Sequence, residues 1–178
     1  MFQNKVVVIT GGAGGIGKCI AEEFQKNGAI VCVIDTAKGD HFIGDIGKKD
    51  VLEAFASTVI EKHGRVDVLV NNAPPAFRGI DSCSYEEFQQ ALAVSFAGKV
   101  RVNSISPGWI DTSSTVYEGP DAIQQPAGRV GNPLDIANMV LFLASDKAGF
   151  ITGENICIDG GQTKLMIYHG DHGWTLNP

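Results

Sequence analysis

The amino-acid sequence predicts an α/β fold, a doubly wound and mostly parallel sheet, and three observations predict it. Apolar runs at Lys5–Thr10, Ala29–Ile34 and Arg65–Val70 have the length and composition of strands covered on both faces. Segments with apolar residues at helical spacing separate them, and strands that alternate with helices favour parallel pairing. The third observation is a glycine-rich turn, Thr10-Gly-Gly-Ala-Gly-Gly-Ile-Gly17, between the first run and the first helix.

A strand, a glycine turn and a helix in that order place unpaired backbone N–H groups at a helix N-terminus, where the helix dipole also favours an anion. Gly11 permits the tight turn, Gly15 lets a pyrophosphate approach the backbone, and Gly17 lets the helix close on the strand. The helix runs over Gly17–Asn27, with Ile16, Ile20 and Phe24 at helical spacing and Gly28 past its end. The next strand, Ala29–Ile34, leads into Asp35, eighteen residues after Gly17. A carboxylate there can accept hydrogen bonds from an adenosine ribose, so the combination predicts a dinucleotide site. Asp35 would face a 2′-phosphate with like charge, and Lys38 is the only cation close in sequence. NAD is therefore expected in preference to NADP.

A short strand is expected around His41–Gly44, followed by Asp45 and Ile46 and by a helix with Leu52, Phe55 and Val59 on one face, ended by Gly64. Only five residues separate Asp35 from His41, whereas a parallel crossover takes a dozen or more. Either this strand pairs antiparallel through Lys38-Gly39-Asp40, or part of the chain is absent here. Arg65–Val70 then leads into Asn71-Asn72-Ala73-Pro74. Ser84–Ala97 reads as one helix, with Ser84 and Glu87 in capping-box form and Phe88 and Leu92 on its apolar side. Val100–Ile105 is the next strand, and Pro107-Gly-Trp-Ile-Asp-Thr112 follows it. Residues 113–130 carry Ser, Gly, Pro and Gln with little periodicity. A helix over Asn132–Ser145 has Pro133 in its first turn and buries Ile136, Val140 and Leu143, and a last strand lies within Phe150–Gly161.

A chain of 178 residues with 44% apolar and 19% charged residues fits one globular domain, expected to span residues 1–178. The formal charge of −6 and the absence of a Lys/Arg run argue against a nucleic-acid surface. No apolar run is long enough to cross a membrane and no signal-peptide pattern follows Met1, so a cytoplasmic protein is expected. Cys19, Cys32, Cys83 and Cys157 are far apart, three of them in expected helix or strand, and read as buried thiols. His169 and His172 near the C-terminus lack a second ligand pair, so no metal site is expected.

The spacing T-G-x-x-x-G-x-G from Thr10 to Gly17 resembles the short-chain dehydrogenase/reductase family, and four further stretches resemble it in the family's order: Asp45-Ile46, Asn71-Asn72-Ala73, Pro107–Thr112 as P-G-x-x-x-T, and Phe150–Gly161 with its D-G-G ending. The resemblance implies a Rossmann-like sheet and a nicotinamide dinucleotide held by Gly11, Gly15, Ile16, Gly17 and Asp35. It implies that Asp45 and Ile46 lie beside the adenine, although Asp45 also reads as a helix N-terminal acid. It further implies that Asn72 and Ala73 line the cofactor pocket, and that Pro107, Gly108, Ile110 and Thr112 fold over the nicotinamide. Pro74 stands where the family has glycine. A small alcohol or carbonyl substrate and a homo-oligomer are implied as well.

The same resemblance implies a catalytic Ser, Tyr and Lys, with Tyr and Lys in a Y-x-x-x-K turn. Four residues beyond Tyr85, Tyr117 and Tyr168 stand Gln89, Asp121 and His172, so no tyrosine has its lysine. The helix Ser84–Ala97 replaces the helix, strand and half-helix that carry these groups in the family. No catalytic residue is assigned. Three readings follow: an NAD(P)-dependent oxidoreductase whose catalytic unit is missing from this chain, a catalytically silent dinucleotide-binding or regulatory module, and an interaction protein with a vestigial site.

Overall fold

The structure, a computed structural model, describes residues 1–73 and 98–165. Pro74, the expected helix Ser84–Ala97, Cys83, and the C-terminal residues His169, His172 and Trp174 lie outside the described residues. Contacts divide the chain into two compact units, Met1–Ser82 with Ala137–Ala148 and Cys83–Ile136 with Gly149–Pro178.

The first unit follows the expected alternation: β1 (Val6–Thr10), α1 (Gly15–Lys26), β2 (Ile30–Asp35), β3 (Phe42–Ile43), α2 (Lys49–His63) and β4 (Val68–Asn71). The strands order as β3-β2-β1-β4, and every pairing is parallel. All five residues of β1 are buried, as a central parallel strand requires. Its side chains alternate between two cores. Val7 and Ile9 pack with Phe2, Ile20, Ala21 and Phe24, while Val6 and Val8 pack with Ile34, Phe55 and Val59. Apolar cover on both faces makes the sheet doubly wound. The rings of Phe2 and Phe24 meet edge to face with centroids 4.9 Å apart.

The structure corrects three expectations here. β3 pairs parallel to β2, not antiparallel, with Phe42 beside Ile34 and Ile43 beside Asp35. It pairs only with the last two residues of β2, so residues 36–41 need to reverse the chain by about two residues, roughly 7 Å, and no full crossover is required. Leu52 is exposed rather than buried, and the apolar face of α2 is carried by Phe55 and Val59. The apolar run Arg65–Val70 is half-exposed, with Leu69 at 58%, and β4 is the outer strand of the sheet among the described residues.

In the second unit β5 (Ser104–Pro107) pairs parallel with β6 (Asn155–Ile158) as a two-stranded sheet. The strand expected at Val100–Ile105 thus starts later. Before Ser104 a single backbone bond, Gly153 N to Val102 O at 2.7 Å, is joined by side chains: Thr152 Oγ1 accepts from Val102 N, and the Asn103 amide bonds Ile151 O and Glu154 N. The last strand is likewise confined to Asn155–Ile158, and Phe150 is fully exposed. The third described helix, α3 (Pro133–Ala144), starts as expected, with the Asn132 Oδ1 accepting from Leu134 N at 2.9 Å. Ile136 and Leu143 are buried and Val140 is half-buried. Cys19 and Cys32 are partly buried free thiols that burial pushes up in pKa, whereas Cys157 is exposed rather than buried. No described helix is long and apolar enough to cross a membrane.

Phe24 is wholly buried between α1 and β1, so Phe24→Ala is expected to cost about 3–5 kcal/mol. Leu52→Ala is expected to stay within about 0.5 kcal/mol. Urea denaturation of both variants checks the assignment of the core face.

Candidate functional site

The strand order reverses direction at β1, since β2 lies on one side of it and β4 on the other. Open parallel sheets bind ligands outside the carboxyl ends of the strands at such a switch point. Thr10 and Asn71 end those two strands, and the glycine turn begins there. Thr10 Oγ1 accepts from the backbone N–H groups of Asn72 and Ala73, each at 3.1 Å. The Asn72 side-chain amide donates in return to Thr10 O at 3.1 Å and Gly11 O at 3.0 Å. Asn72 thereby clamps the end of β4 to the turn, and Ala73 is held by its backbone.

The glycines divide by role. Gly11 has φ +67° and Gly15 φ +52°, the left-handed region where a β-carbon is strained. A β-carbon at Gly17 would lie 2.2 Å from Gly11 O and 2.4 Å from Asn72 Nδ2, so α1 reaches the strand only because residue 17 has none. Gly12 seats on Val33 in the same manner. A β-carbon at Gly14, by contrast, meets nothing within 4 Å. Gly14 is the N-cap of α1, makes no side-chain capping bond, and no acid stands in the first turn. The N–H groups of Gly15, Ile16 and Gly17 therefore lack intrahelical acceptors, and no acid in the first turn competes for them. Ile16 contributes its backbone here, because its side chain packs against the core of α1 and β1.

Asp35 stands at the end of β2 beside this turn. Its Oδ2 accepts from Ala13 N and its Oδ1 from Ala37 N, both at 2.9 Å. Those bonds, Ala37 first and Ala13 second, hold its carboxyl below the usual range. Each oxygen keeps further acceptor capacity for a ribose hydroxyl. Asp45 and Ile46 lie just past β3, where Gly44 N donates to Asp35 O at 2.8 Å. The Asp45 carboxylate accepts from Gly47 N at 2.9 Å, a local turn ahead of α2, and Ile46 packs against the core under α2.

In the second unit, Pro107 ends β5 and Gly108 N donates to Ile158 O at 3.0 Å. A β-carbon at Gly108 would lie 2.5 Å from Asp159 Cβ. The P-G turn thus packs directly on the D-G-G ending. Asp159 is fixed there by Thr163 N at 2.7 Å and Gly161 N at 2.9 Å, which, Thr163 first, depress its carboxyl strongly. Ile110 bridges Gly131 in parallel, with Gly131 N donating to Trp109 O and Asp111 N to Gly131 O. That bridge uses the groups of Trp109 and Asp111. The N–H and C=O of Ile110 itself point the other way and have no partner among the described residues. Thr112 is exposed, and its hydroxyl makes no hydrogen bond among the described residues. Asp111 accepts from Ser113 N, Ser113 Oγ and Thr115 N, which orders the start of the following loop. Tyr117 in that loop meets Trp109 edge to face at 5.1 Å.

Sequence reasoning missed Ala13 as the donor to Asp35, and missed Gly14 and Gly131. The spacing of the glycine turn could have signalled Gly14; Gly131 carries no local signal, because the Trp109–Asp111 backbone it bonds is distant in sequence.

A family model described as short chain dehydrogenase matches residues 5–98, and one described as Enoyl-(Acyl carrier protein) reductase matches residues 83–163. An uncharacterized oxidoreductase of Thermotoga maritima is 32% identical over 254 residues, which covers 94% of this chain and 99% of that relative. The 3-oxoacyl-[acyl-carrier-protein] reductase FabG of the same organism is 27% identical over 242 residues, covering 90% and 98%. These lengths exceed the 178 residues of this chain, so the relatives carry residues with no counterpart in it. Among solved structures, an apo SCOR enzyme from Clostridium thermocellum superposes with a TM-score of 0.79 at 34% identity, covering 99% of this chain and 100% of that one. The ligand-free aldohexose dehydrogenase of Thermoplasma acidophilum gives 0.77 at 24% identity, covering 94% and 97%, a likeness of fold.

The depressed carboxyl of Asp35 links stability to pH. The unfolded chain binds its proton at the higher, ordinary value of about 3.9, so the stabilisation is complete above that value and is lost as pH falls through the folded value. Asp35→Asn is expected to be less stable than the parent chain near neutral pH, with the difference shrinking in acid. Urea midpoints measured at about pH 6 and about pH 3 check the sign.

Proposed function

This chain belongs to the short-chain dehydrogenase/reductase family, and on that premise we propose that it is a single dinucleotide-binding domain of an oxidoreductase that acts on an alcohol or carbonyl with NAD. The observation that carries the reading is the uncapped N-terminus of α1 with Asp35 beside it. The residues fit a dinucleotide: a β-carbon at Gly14 would meet nothing, the first N–H groups of α1 lack intrahelical acceptors, and the adjacent carboxylate can accept from ribose hydroxyls. When bound, the nicotinamide ring supplies the hydride or accepts it. The chain's own residues bind and orient. Gly15, Ile16 and Gly17 receive the pyrophosphate by backbone, and Asp35 receives the adenosine ribose. Asp45 and Ile46 border the adenine, and Asn72 and Ala73 keep the turn in place. The outward groups of Ile110 and the hydroxyl of Thr112, with Pro107 and Gly108 setting their turn, are assigned to the carboxamide.

The FabG relative, a 3-oxoacyl-[acyl-carrier-protein] reductase, supports a carbonyl or alcohol as the substrate class. The proton donor belongs to the segment that the longer relatives carry and this chain lacks. Support for that comes from the three tyrosines, none followed at the fourth position by lysine. Solubility, a cytoplasmic location and self-association are part of the same proposal.

Gly14→Asp is expected to keep or slightly raise the melting temperature, because aspartate is a good N-cap. It is also expected to weaken NAD binding at least tenfold through like charge at the pyrophosphate. Calorimetric titration should find NAD bound at least tenfold tighter than NADP by the parent chain. Equal affinities would remove the role given to Asp35, and an unaffected Gly14→Asp would remove the anion site.

Catalysis gives a separate expectation. The 178-residue chain should bind NAD yet turn over neither alcohols nor ketones, since a missing general acid alone costs about 10²–10⁴ in rate. NADH absorbance, measured across a panel of both substrate classes on protein of confirmed mass, tests it. Turnover that vanishes in Tyr117→Phe would place the chemistry within this chain instead.

A further inference from the structure

One edge of the first unit's sheet is left open. In the parallel ladder the even-numbered residues of β2 turn their backbone groups toward β1: Ile30 N donates to Lys5 O at 2.8 Å, and Ile34 O accepts from Gly11 N at 2.9 Å. The odd-numbered residues therefore turn theirs away from it. β3 covers that side only at Ile34 and Asp35, where Gly44 N donates to Asp35 O at 2.8 Å. At the other end Ala29 N is taken by Phe24 O at 3.0 Å. Between these ends the Val31 N–H and C=O, flanked by the Ala29 C=O and the Val33 N–H, have no partner among the described residues. Val31, Cys32 and Val33 line a groove of about 410 Å³, with Lys18 and Glu22 of α1 and Lys62 of α2 at its sides.

An open strand edge is a template for another chain, and proteins that leave one unpaired blunt it with charges or proline. The stretch Ala29-Ile-Val-Cys-Val-Ile34 contains neither. From Ala29 to Val33 the open groups run acceptor, donor, acceptor, donor, so the same row reversed is its complement. We propose that two copies of this chain pair β2 against β2, antiparallel, across a two-fold axis at Val31. Each Val31 then donates to and accepts from the partner's Val31, and the Val33 N–H falls opposite the partner's Ala29 C=O. The ends set the register, because Ala29 N and Asp35 O are already bonded. An axis that reverses β2 also reverses α1. Lys18 and Glu22, exposed and 3.9 Å apart, thereby face the partner's Glu22 and the partner's Lys18, and opposite charges meet across the seam. A contact of one short strand and its helix rims belongs to the small interfaces, below roughly 1,200 Å², so the dimer is weak and concentration-dependent. The pairing does not rest on the dinucleotide reading.

Disulfide trapping of the full chain reads the register. Residues directly opposed in a hydrogen-bonded antiparallel pair have Cα atoms about 5.5 Å apart, a distance that a disulfide spans. With the four native cysteines replaced by alanine, Val31→Cys is expected to oxidise to a covalent dimer at least tenfold faster than Val33→Cys. Position 33 lies four residues along the strand from its own counterpart, roughly 13 Å, and should not be trapped. Mixed Ala29→Cys and Val33→Cys chains should form the mixed dimer. Sedimentation velocity of the native chain is expected to show monomer and dimer in exchange between roughly 10 μM and 1 mM. Val31→Pro removes the outward N–H, leaves the β1 ladder intact and should stay monomeric. If that variant fails to fold, the cysteine pattern decides alone. Equal trapping at 31 and 33, no trapping at 31, or a dimer that persists in Val31→Pro overturns the proposal. A monomer at every concentration does so too, and leaves the edge to a partner of another kind.

Discussion

The first unit is assembled at one carbonyl, that of Gly11. It lies one residue past β1, it accepts from the amide of Asn72 just after β4, and α1 passes so close that residue 17 can carry no side chain. Strand, neighbouring strand and helix thus meet at a single backbone oxygen. Any β-carbon at position 17 would push the helix away from the switch point, and the N–H groups at its start would no longer face the crevice. The contact is backbone to backbone, so no rotamer change can relieve it, and glycine is the only residue that permits it.

The second unit repeats the device with different parts. Gly108 lies against Asp159, which cannot yield, because its carboxylate holds the turn made by Gly160 and Gly161. Both of those glycines have positive φ. This explains in physical terms why a P-G turn and a D-G-G ending, about fifty residues apart, occur together: each shapes the surface on which the other packs. Gly131 completes the arrangement by admitting Ile110, and the resulting bridge turns the Ile110 backbone groups outward.

The chain is shorter than relatives that align with it over more than 240 residues. Between β2 and β3 the connection is brief, yet the pairing is parallel because only two residues pair. Ile30 is exposed and Val31 to Val33 are half-buried, so β2 is less covered than β1. None of the three tyrosines is followed at the fourth position by lysine.

Much of the fold was legible because it rests on local, periodic signals. The buried β1, the helices at Gly15–Lys26 and Pro133–Ala144 and the glycine turn each arise from residues adjacent in sequence. Asp35 was legible too, since its distance from the turn is set by one helix and one strand. Local signals could not decide which ends of the apolar runs would pair. Leu69 is exposed on β4, the outer strand of its sheet among the described residues, and Val100–Asn103 lie outside β5, where Thr152 and the Asn103 side chain supply several of the bonds. Nor could they reveal the open space over Gly14, the orphaned oxygen of Gln125 or the outward backbone of Ile110. Residue type and spacing by themselves determined the alternation of elements and the class of ligand they suggest. Which atoms were left unpaired was decided only by tertiary structure, because an unpaired atom is defined by neighbours that the chain brings together from far along its length.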